Sequence, residues 1–298
     1  WPWSRAVFCS VCDKPWSNHD LQCVHPIHMT ATLKFLAFET STDMMSVALC
    51  VGDQTWHLHT QGGANASAQL IPSIHNLLAQ AQLTLADLTA LVIGQGPGSF
   101  TGLRTACSVA QGLALGANLQ VIPVDTLMVV AEDARGSLQA PLTSQVSVVM
   151  DARMGEVYGG AYAWHAASGQ WLATVPLQVG PPAQVAQTLI TDHAASGVLA
   201  GNGFEVYADA FFEILAARSN ACSVGVSDVQ AMRCVPAVPH ALALLRLAPA
   251  LWAAGKAVAP EGVQPLYIRD KVAQTTAERD AIKAAKAAHS AAPLQDAP

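Results

Sequence analysis

A glycine-rich loop between an apolar run and an Ala-rich segment contains the residues best suited to chemistry. The stretch "LVIGQGPGSFTGLRTACSVAQGLALG", residues 91–116, has four glycines between Gly94 and Gly102. Such a loop suits phosphate, because glycines let backbone amides approach the oxygens and the following helix directs the positive end of its dipole at the anion. The candidate phosphate-binding residues are Gly96, Gly98, Ser99 and Gly102.

The loop lacks the charged groups that phosphoryl transfer needs. A Walker A loop ends in Gly-Lys-Ser/Thr, whereas this one ends in Thr101-Gly102-Leu103. The dinucleotide fingerprint fails because Ser99 stands where the third glycine belongs, and no glycine follows Ser99 two residues later as a serine-hydrolase elbow requires. We therefore expect a vestigial phosphate loop that sets the geometry of the following helix, with no catalytic residue and no cofactor. The alternative, a tight turn that only permits close helix packing, stays open.

A second group of candidate ligands lies near the beginning of the sequence. Cys9, Cys12, Cys23 and His25 are spaced so that they could make a tetrahedral zinc site. A second close pair of cysteines is missing, however, so we favour the interpretation that residues 1–28 are a poorly ordered extension ahead of a natural start at Met29.

Composition limits the kinds of partner that the protein can have. A chain of 298 residues that is 52% hydrophobic and 12% charged is globular and long enough for two domains. Its net charge of -6 and its lack of a basic stripe argue against binding nucleic acid alone. No apolar run reaches the roughly 18 to 20 residues of a membrane span, and no signal peptide is evident, so we expect a cytoplasmic protein without a membrane partner.

Two similar hairpins frame the elements that must position the loop. The first pairs strands at 33–38 and 45–51, and the second pairs strands at 146–150 and 157–164. Glu39 and Asp151 occupy the two turns, where actin-like ATPases hold magnesium or orient water. Glu39 is followed by Thr40-Ser41 rather than by the glycine that those enzymes use beside the phosphates.

Helical periodicity and short apolar runs complete the predicted organisation. We predict helices at about 67–82, 103–115, 207–217 and 239–255, with buried strands at 90–93 and 198–200. These elements suggest a first lobe at 30–135 and a second at 141–268, with the 239–255 helix a candidate to pack on the first lobe. Residues 269–298 are predicted to form a tail.

Several longer segments resemble the bacterial TsaB family, also called YeaZ. They are "LAFETSTDMMSVAL", "GQGPGSFTGLRTACSVAQGLALG", "VDTL", "MDARMGEVYGGAY", "GNGFEVY" and "EGVQPLYIRDKVA", and together they extend the likeness over about residues 33–273. The resemblance implies an α/β protein with the two-lobed actin-like fold of sugar kinases and heat-shock chaperone ATPases, in which mixed sheets are flanked by helices. Glu39 departs from the aspartate that is usual in the family.

The resemblance also implies a function without catalysis. Members of the family pair with TsaD, the subunit that transfers a threonylcarbamoyl group to N6 of the adenosine next to the anticodon in tRNA, and enable that reaction without performing it. The implied partners are a TsaD-like subunit in a heterodimer and, as a further candidate, a TsaE-like ATPase, with tRNA contacted only through the complex. Whether the isolated chain is a monomer or a homodimer is left open.

The resemblance places the partner interface on the helices at about 67–82 and 103–115. An apolar stripe on the first and a small-residue stripe on the second suit helix-on-helix contact. The predicted interface residues are Leu70, Ile74, Leu77, Leu78, Ala106, Ala110 and Ala114. The alternative is that both stripes face the protein's own core.

Two other classes of function compete with a partner subunit. An actin-fold ATPase or kinase with its own nucleotide site is the main alternative, and a nucleotide titration separates the two. A peptidase, an old label for relatives of this family, is disfavoured because no nucleophile with a base and no metal-ligand motif is evident.

Overall fold

The computed structural model describes residues 32–138, 145–191, 197–221 and 232–269. The elements below all belong to the unit that begins at Leu33. The candidate ligands Cys9, Cys12, Cys23 and His25 and the predicted tail beyond Arg269 lie outside the described residues.

The first half of the described chain forms a five-stranded mixed sheet in the order β3-β2-β1-β4-β5. β1, β2 and β3 make an antiparallel meander, whereas β4 and β5 run parallel to β1. The strands are β1 Lys34–Glu39, β2 Met44–Val51, β3 Gln54–Gln61, β4 Ala90–Gly96 and β5 Gln120–Asp125. The helices of this half are α1 Ala66–Gln80, α2 Phe100–Ala117 and α3 Thr126–Ser137, with short 3-10 turns at Gly63–Asn65 and Leu85–Asp87.

The second half repeats that topology. Its sheet has the order β10-β9-β6-β7-β8, with β6, β7 and β8 antiparallel and β9 and β10 parallel to β6. The strands are β6 Gln145–Asp151, β7 Val157–His165, β8 Gln170–Gly180, β9 Val198–Gly201 and β10 Arg233–Val235. The helices are α4 Pro182–Thr191, α5 Gly203–Val206, α6 Ala208–Ala221 and α7 Ala241–Ala253, followed by a 3-10 turn at Pro260–Gly262. Two sheets of the same topology, each flanked by helices, make the two-lobed actin-like fold.

Alternation along β1 assigns its side chains to two different cores. Leu36 and Phe38 point toward α1 and α2, where they join a core made by the first half of the described chain together with Val263. Phe35 and Ala37 point the other way, into a core that also contains residues of α3, α7 and β6. Because residues two apart on a strand share a face, a single strand supports both layers.

Helices α3 and α7 form the layer between the sheets. α3 packs on α7, β6 and β9, and α7 packs on β1 and β2 of the first sheet. Each follows the last strand of its own sheet, so the two helices occupy equivalent places in the repeat. The lobe limits at 30–135 and 141–268 remain predictions.

None of the helices in the described ranges is both long and apolar enough to cross a membrane.

Candidate functional site

The glycine loop joins the end of β4 to the first turn of α2. Ser99 caps the helix: its Oγ accepts a 3.5 Å hydrogen bond from the Gly102 N–H, and its carbonyl accepts one of 2.9 Å from the Leu103 N–H. The Gly96 N–H donates to Thr126 Oγ1 over 3.1 Å, at the start of α3. The predicted strand–loop–helix arrangement is therefore present, with an N-terminus that could face an anion.

The turn between β1 and β2 packs directly on this loop. The Ser99 N–H donates to the Ser41 carbonyl over 2.7 Å, and Thr40 Oγ1 donates to the Gly102 carbonyl over 2.8 Å. A Cβ added to Gly102 would lie 1.8 Å from the Thr40 carbonyl oxygen, and one added to Gly98 would lie 2.6 Å from the Ser41 carbonyl oxygen. These two glycines are thus required by the close approach of the protein's own backbone, which favours the tight-turn alternative.

Glu39 is enclosed behind the loop. Its side chain is 1% exposed, and Oε1 accepts a 2.6 Å hydrogen bond from the Ser41 N–H. Oε2 has no hydrogen-bond partner among the described residues, and a Cβ on Gly94 would fall 1.6 Å from it. Burial raises the pKa of Glu39 above its ordinary value, against the opposing effect of the hydrogen bonds from Ser41 and Thr40. The Glu39 carboxyl group is therefore held inside the lobe, against the backbone of Ser41 and Gly94.

A strap formed by residues 263–269 crosses the outer side of the loop. The Leu266 N–H donates to the Gln95 carbonyl over 2.7 Å, and a Cβ on Gly96 would lie 2.6 Å from the Leu266 carbonyl oxygen. Gln111 Nε2 of α2 donates to the Val263 carbonyl over 2.9 Å. The strap therefore packs on Gly96 from one side while the β1–β2 turn packs on Gly98 and Gly102 from the other.

An aromatic and cationic cluster attaches the strap to the head of α2. The ring of Tyr267 stacks on Phe100 with centroids 5.2 Å apart, and the Arg104 guanidinium lies 3.8 Å from the Phe100 ring centroid. Arg104 Nε also donates to the Tyr267 hydroxyl over 3.0 Å. The N-terminal turn of α2 is thus covered partly by side chains of the strap.

Charged side chains hold the second lobe's turn, residues 151–156, against the first lobe and the strap. Arg153 Nη2 lies 2.6 Å from Asp43 Oδ2, and Arg269 Nη2 lies 2.6 Å from Glu156 Oε2 and donates to the Ala152 carbonyl over 3.0 Å. These contacts join the second lobe's turn to Asp43 of the first lobe and to Arg269 of the strap.

The carboxylate of Asp151 is hydrogen-bonded by neighbouring residues. Its Oδ1 accepts hydrogen bonds from the Arg153 N–H over 2.8 Å and from the Tyr207 hydroxyl over 3.0 Å, and its Oδ2 lies 3.4 Å from Arg153 Nη1. This carboxylate therefore shapes its turn. Across the described ranges, no cluster of three or more His, Cys, Asp or Glu side chains is arranged to hold a metal ion.

The seven side chains predicted at the partner interface lie in the core of the first lobe. They are Leu70, Ile74, Leu77, Leu78, Ala106, Ala110 and Ala114, and none is more than 4% exposed. Their stripes pack α1 and α2 on the sheet, which is the alternative that the sequence left open. The choice of residues is therefore corrected, because these side chains are not available to a partner while the lobe stays folded. An interface on the outer faces of the same helices remains a prediction.

The sequence analysis did not identify Glu132, a buried charged residue between the lobes. The Glu132 side chain of α3 is fully buried and accepts hydrogen bonds from Arg135, from Arg246 Nε of α7 over 2.9 Å, and from Trp171 Nε1 of β8 over 3.0 Å. The sequence analysis predicts no helix at these positions, and Glu132 and Arg135 have the spacing of an ordinary surface ion pair, so no local signal marks their role in joining α3 to α7 and the second sheet.

The fold and the loop thus define a two-lobed actin-like protein. Its glycine loop stands where a phosphate loop would lie, and it is packed against other segments of the same chain. The family model described as "TsaD: tRNA N6-adenosine threonylcarbamoyltransferase" matches residues 60–276. Proteins called "tRNA threonylcarbamoyladenosine biosynthesis protein TsaB" are similar over nearly their whole length. The Escherichia coli protein is 32% identical over 81% of this chain and 96% of its own, and the Haemophilus influenzae protein is 32% identical over 80% and 95%.

Solved structures agree with these relatives. "YeaZ from Pseudomonas aeruginosa" superposes with a TM-score of 0.66 at 30% identity, covering 79% of this chain and 99% of that one. A second structure from that organism, described as similar to peptidase YEAZ, gives a TM-score of 0.66 at 30% identity over 80% of this chain. The chain belongs to the TsaB (YeaZ) family.

Proposed function

We propose that the chain is a non-catalytic partner subunit for threonylcarbamoyl transfer to N6 of the adenosine next to the anticodon in tRNA. It acts by dimerising with a TsaD-type catalytic subunit in the cytoplasm. A TsaE-like ATPase is a further partner, and tRNA is contacted through the complex. The names of the relatives, which refer to threonylcarbamoyladenosine biosynthesis, support this proposal.

The observation that carries the non-catalytic role is the packing of the glycine loop. Phosphate would have to approach backbone that already contacts the Thr40 carbonyl on one side and the Leu266 carbonyl on the other. No lysine ends the loop, and Glu39 is buried with a raised pKa. These features disfavour the alternative of an actin-fold ATPase or kinase, which tight stoichiometric ATP binding in a calorimetric titration would support instead.

The match to a transferase model suggests how two subunits would meet. Two proteins that share a fold can pair through equivalent surfaces about a pseudo-two-fold axis, as identical subunits do about a true one. The outer faces of α1 and α2 are the surface that we propose for this contact. Leu115 is 69% exposed and Ile71 40% exposed, and Cβ atoms added at Gly112 and Gly116 would meet nothing.

The charge of these two helices fits the same proposal. Across the 15 residues of α1 and the 18 of α2, Arg104 is the one side chain with a formal charge at pH 7, with histidine taken as neutral. Depletion of charged residues distinguishes the centre of a protein interface from the rest of a protein surface. Small residues on α2 would also let a partner helix approach closely.

Substitutions on the outer face of α2 test the proposal. We expect Leu115→Glu combined with Gly112→Arg to weaken pairing with a TsaD-type subunit by about a hundredfold or more, since a central contact contributes about 2 kcal/mol and unpaired charges add to the loss. Co-purification and threonylcarbamoyladenosine formation are measured together. Phe212→Glu on α6, where the side chain is 51% exposed, is the matched control. Unchanged pairing by the folded double variant would remove this face from the interface.

A buried substitution on α1 separates loss of the interface from loss of the fold. Leu77 is 4% exposed, so Leu77→Glu should unfold the first lobe rather than merely prevent pairing, at a cost of several kcal/mol. Circular dichroism and a melting curve of the purified variant measure this. A stably folded Leu77→Glu variant that fails only in pairing would return this side chain to the interface.

A further inference from the structure

A cavity of about 290 Å³ lies between the first turn of α7, the strands β2 and β3, and α3. Three histidine rings line it, His57 and His59 from β3 and His240 from the position just before α7. Asp133 of α3 contributes a carboxylate to the same cavity. These side chains are not arranged to hold a metal ion. Imidazole is the side chain that ordinarily changes charge between pH 5 and 8, so the cavity gathers proton-sensitive groups from separate elements.

His240 is the N-cap of α7, and its hydrogen bonds define the protonation state of its ring. Nδ1 accepts a 3.3 Å hydrogen bond from the Ala243 N–H, which is shared with the His240 carbonyl at 3.1 Å. Nε2 lies 2.6 Å from Asp133 Oδ1. Because a backbone N–H can only donate, Nδ1 must be without a proton, and Nε2 therefore donates its proton to Asp133. The geometry requires a neutral ring with its proton on Nε2.

A histidine cap differs from the caps of α2 and α3. Ser99 and Asp125 cap those helices with oxygen acceptors, and an oxygen keeps a lone pair in either protonation state. The Nδ1 atom of an imidazole has a single lone pair, so protonation turns it from an acceptor into a donor. A second donor then faces the Ala243 N–H, and the positive end of the helix dipole also opposes a cation at this position. Protonation of His240 therefore removes the cap of α7.

We propose that His240 is a proton-operated latch at the first turn of α7. While its ring is neutral, it holds the first turn of α7 and the Asp133 carboxylate of α3 together. When Nδ1 takes up a proton, the ring keeps its pairing with Asp133 and releases the first turn. Since α7 packs on β1, β2 and α3, this release loosens the joint between the first sheet and the layer between the sheets. The device is independent of the function proposed above and lies away from the outer face of α2.

Acidic neighbours favour the uptake of a proton by His240. Burial acts to raise the pKa of Asp133, but the hydrogen bonds from His240 and the Val238 N–H bring that pKa below its ordinary value, so Asp133 stays charged at pH 5. Arg246 Nη2 lies 3.9 Å from Asp133 Oδ1 and competes for the same carboxylate. Glu39, at the end of β1, also interacts with the charge of His240, but burial raises its pKa, which makes Glu39 the weaker counter-charge as the pH falls.

The two histidines of β3 oppose the uptake of a proton by His240. The rings of His59 and His240 meet edge to face, with centroids 6.3 Å apart. Burial lowers the pKa of His59 and the charge of His240 lowers it further, while Asp133 opposes this shift and His57 adds to it. Ser46, on the neighbouring strand β2, brings no charge to the cavity. A proton on one of these rings therefore disfavours a proton on the next.

Nuclear magnetic resonance of the full chain, with nitrogen-15 in its histidines and backbone, tests the latch directly. At pH 8 the ring nitrogens of His240 should show the neutral form with its proton on Nε2, and at pH 5 they should show the doubly protonated form. Over the same range the Ala243 amide should lose about fivefold of its protection from hydrogen exchange, the size of a lost helix cap. The Gly102 amide, capped by Ser99, is the internal control and should keep its protection.

His240→Asn separates the cap from the titration. Asparagine is a strong N-cap whose acceptor does not change between pH 5 and 8, so Ala243 should be equally protected at both pH values in this variant. His165→Asn, at an exposed position at the end of β7, is the matched control and should keep the pH response of the unsubstituted chain. A proton on Nδ1 of His240 at pH 8, a neutral His240 ring at pH 5, or the same pH response in the His240→Asn variant overturns the proposal.

His59→Gln tests the coupling across the cavity. Removing a ring that becomes a cation should raise the pH at which His240 takes up its proton, whereas His165→Gln should leave that midpoint unchanged. His59 and His165 are both exposed, so circular dichroism should show both variants folded. An unchanged or lower midpoint in the His59→Gln variant overturns the coupling between β3 and the latch.

Discussion

The two lobes share one topology but hold their equivalent turns by different means. In the turn after β1, Thr40 and Ser41 are buried and contact the glycine loop through the Ser41 carbonyl and the Thr40 hydroxyl. The turn after β6 is largely exposed, and it is held by charged side chains such as Arg153 and Arg269. The comparison teaches that two turns of the same topology can be held by different contacts, because the residues in each turn decide which groups pack against it.

The largest expected effect is at the backbone contact of the first lobe. Gly102→Ala should destabilise the protein by about 3 kcal/mol or more, because a Cβ there would lie 1.8 Å from the Thr40 carbonyl oxygen. Gly203→Ala occupies the equivalent helix start in the second lobe and should cost less, since the nearest atoms there are 3.1 to 3.2 Å away. Chemical denaturation measures the free energy of unfolding of both variants.

Gly112→Ala is the control on the same helix as Gly102. Its Cβ would meet nothing, and alanine is the better helix former by about 1 kcal/mol, so this variant should be neutral or slightly stabilising. A Gly102→Ala variant as stable as Gly112→Ala would show that the first turn does not pack on the loop as described.

The second expected effect concerns a buried link between the lobes. Asp125, at the end of β5, accepts a hydrogen bond from the Tyr162 hydroxyl on β7, and burial raises the pKa of Asp125 to about 6 from an ordinary 3.8. A carboxyl group whose pKa is raised by folding stabilises the fold below its unfolded pKa, and that contribution is lost as pH rises through the folded pKa. Between pH 4 and 7 the loss should approach about 3 kcal/mol.

Asp125→Asn isolates that titration. Asparagine keeps an oxygen that can accept the 2.9 Å hydrogen bond from the Leu127 N–H but has no proton to lose. The stability of the variant relative to the native chain should therefore rise between pH 4 and 7. Glu39 also has a raised pKa, but it is present in both chains, so its effect on the pH dependence cancels in the difference. Denaturation curves at several pH values measure the difference, and parallel pH profiles for the two chains would contradict the raised pKa.

The smallest expected effect is at the exposed link between the lobes. Arg153 and Asp43 are 2.6 Å apart, but their side chains are 69% and 72% exposed. Exposed ion pairs contribute about 0 to 1 kcal/mol and are screened by salt. Arg153→Ala should therefore change the melting temperature by only a few degrees at low salt and by less at high salt. A large fall in melting temperature that persists at high salt would show that the turn after β6 contributes as much to stability as the turn after β1.

Elements with a clear hydrophobic period could be predicted from the sequence. The strands at 33–38, 45–51, 146–150 and 157–164 lie within β1, β2, β6 and β7 or within one residue of them, and the helix predicted at 103–115 lies within α2. The elements that were not predicted are β3, β5, α3, β8, α4, α5 and β10. β3 is an exposed edge without alternation, β5 and β8 contain proline, and β10 is very short, so the local signal that identifies a strand is weak in each.

The sequence by itself determined the family, the repeated hairpins and the absence of a Walker lysine, because these depend on residue type and local spacing alone. It also identified the apolar stripes of α1 and α2, but not the surface that they face. Only the tertiary structure decided that these stripes pack on the first sheet, that the Thr40 carbonyl packs against Gly102, and that Glu132 joins α3 to Arg246. Each of these contacts joins residues far apart in the chain, and a periodic pattern shows that a face is buried without showing what covers it.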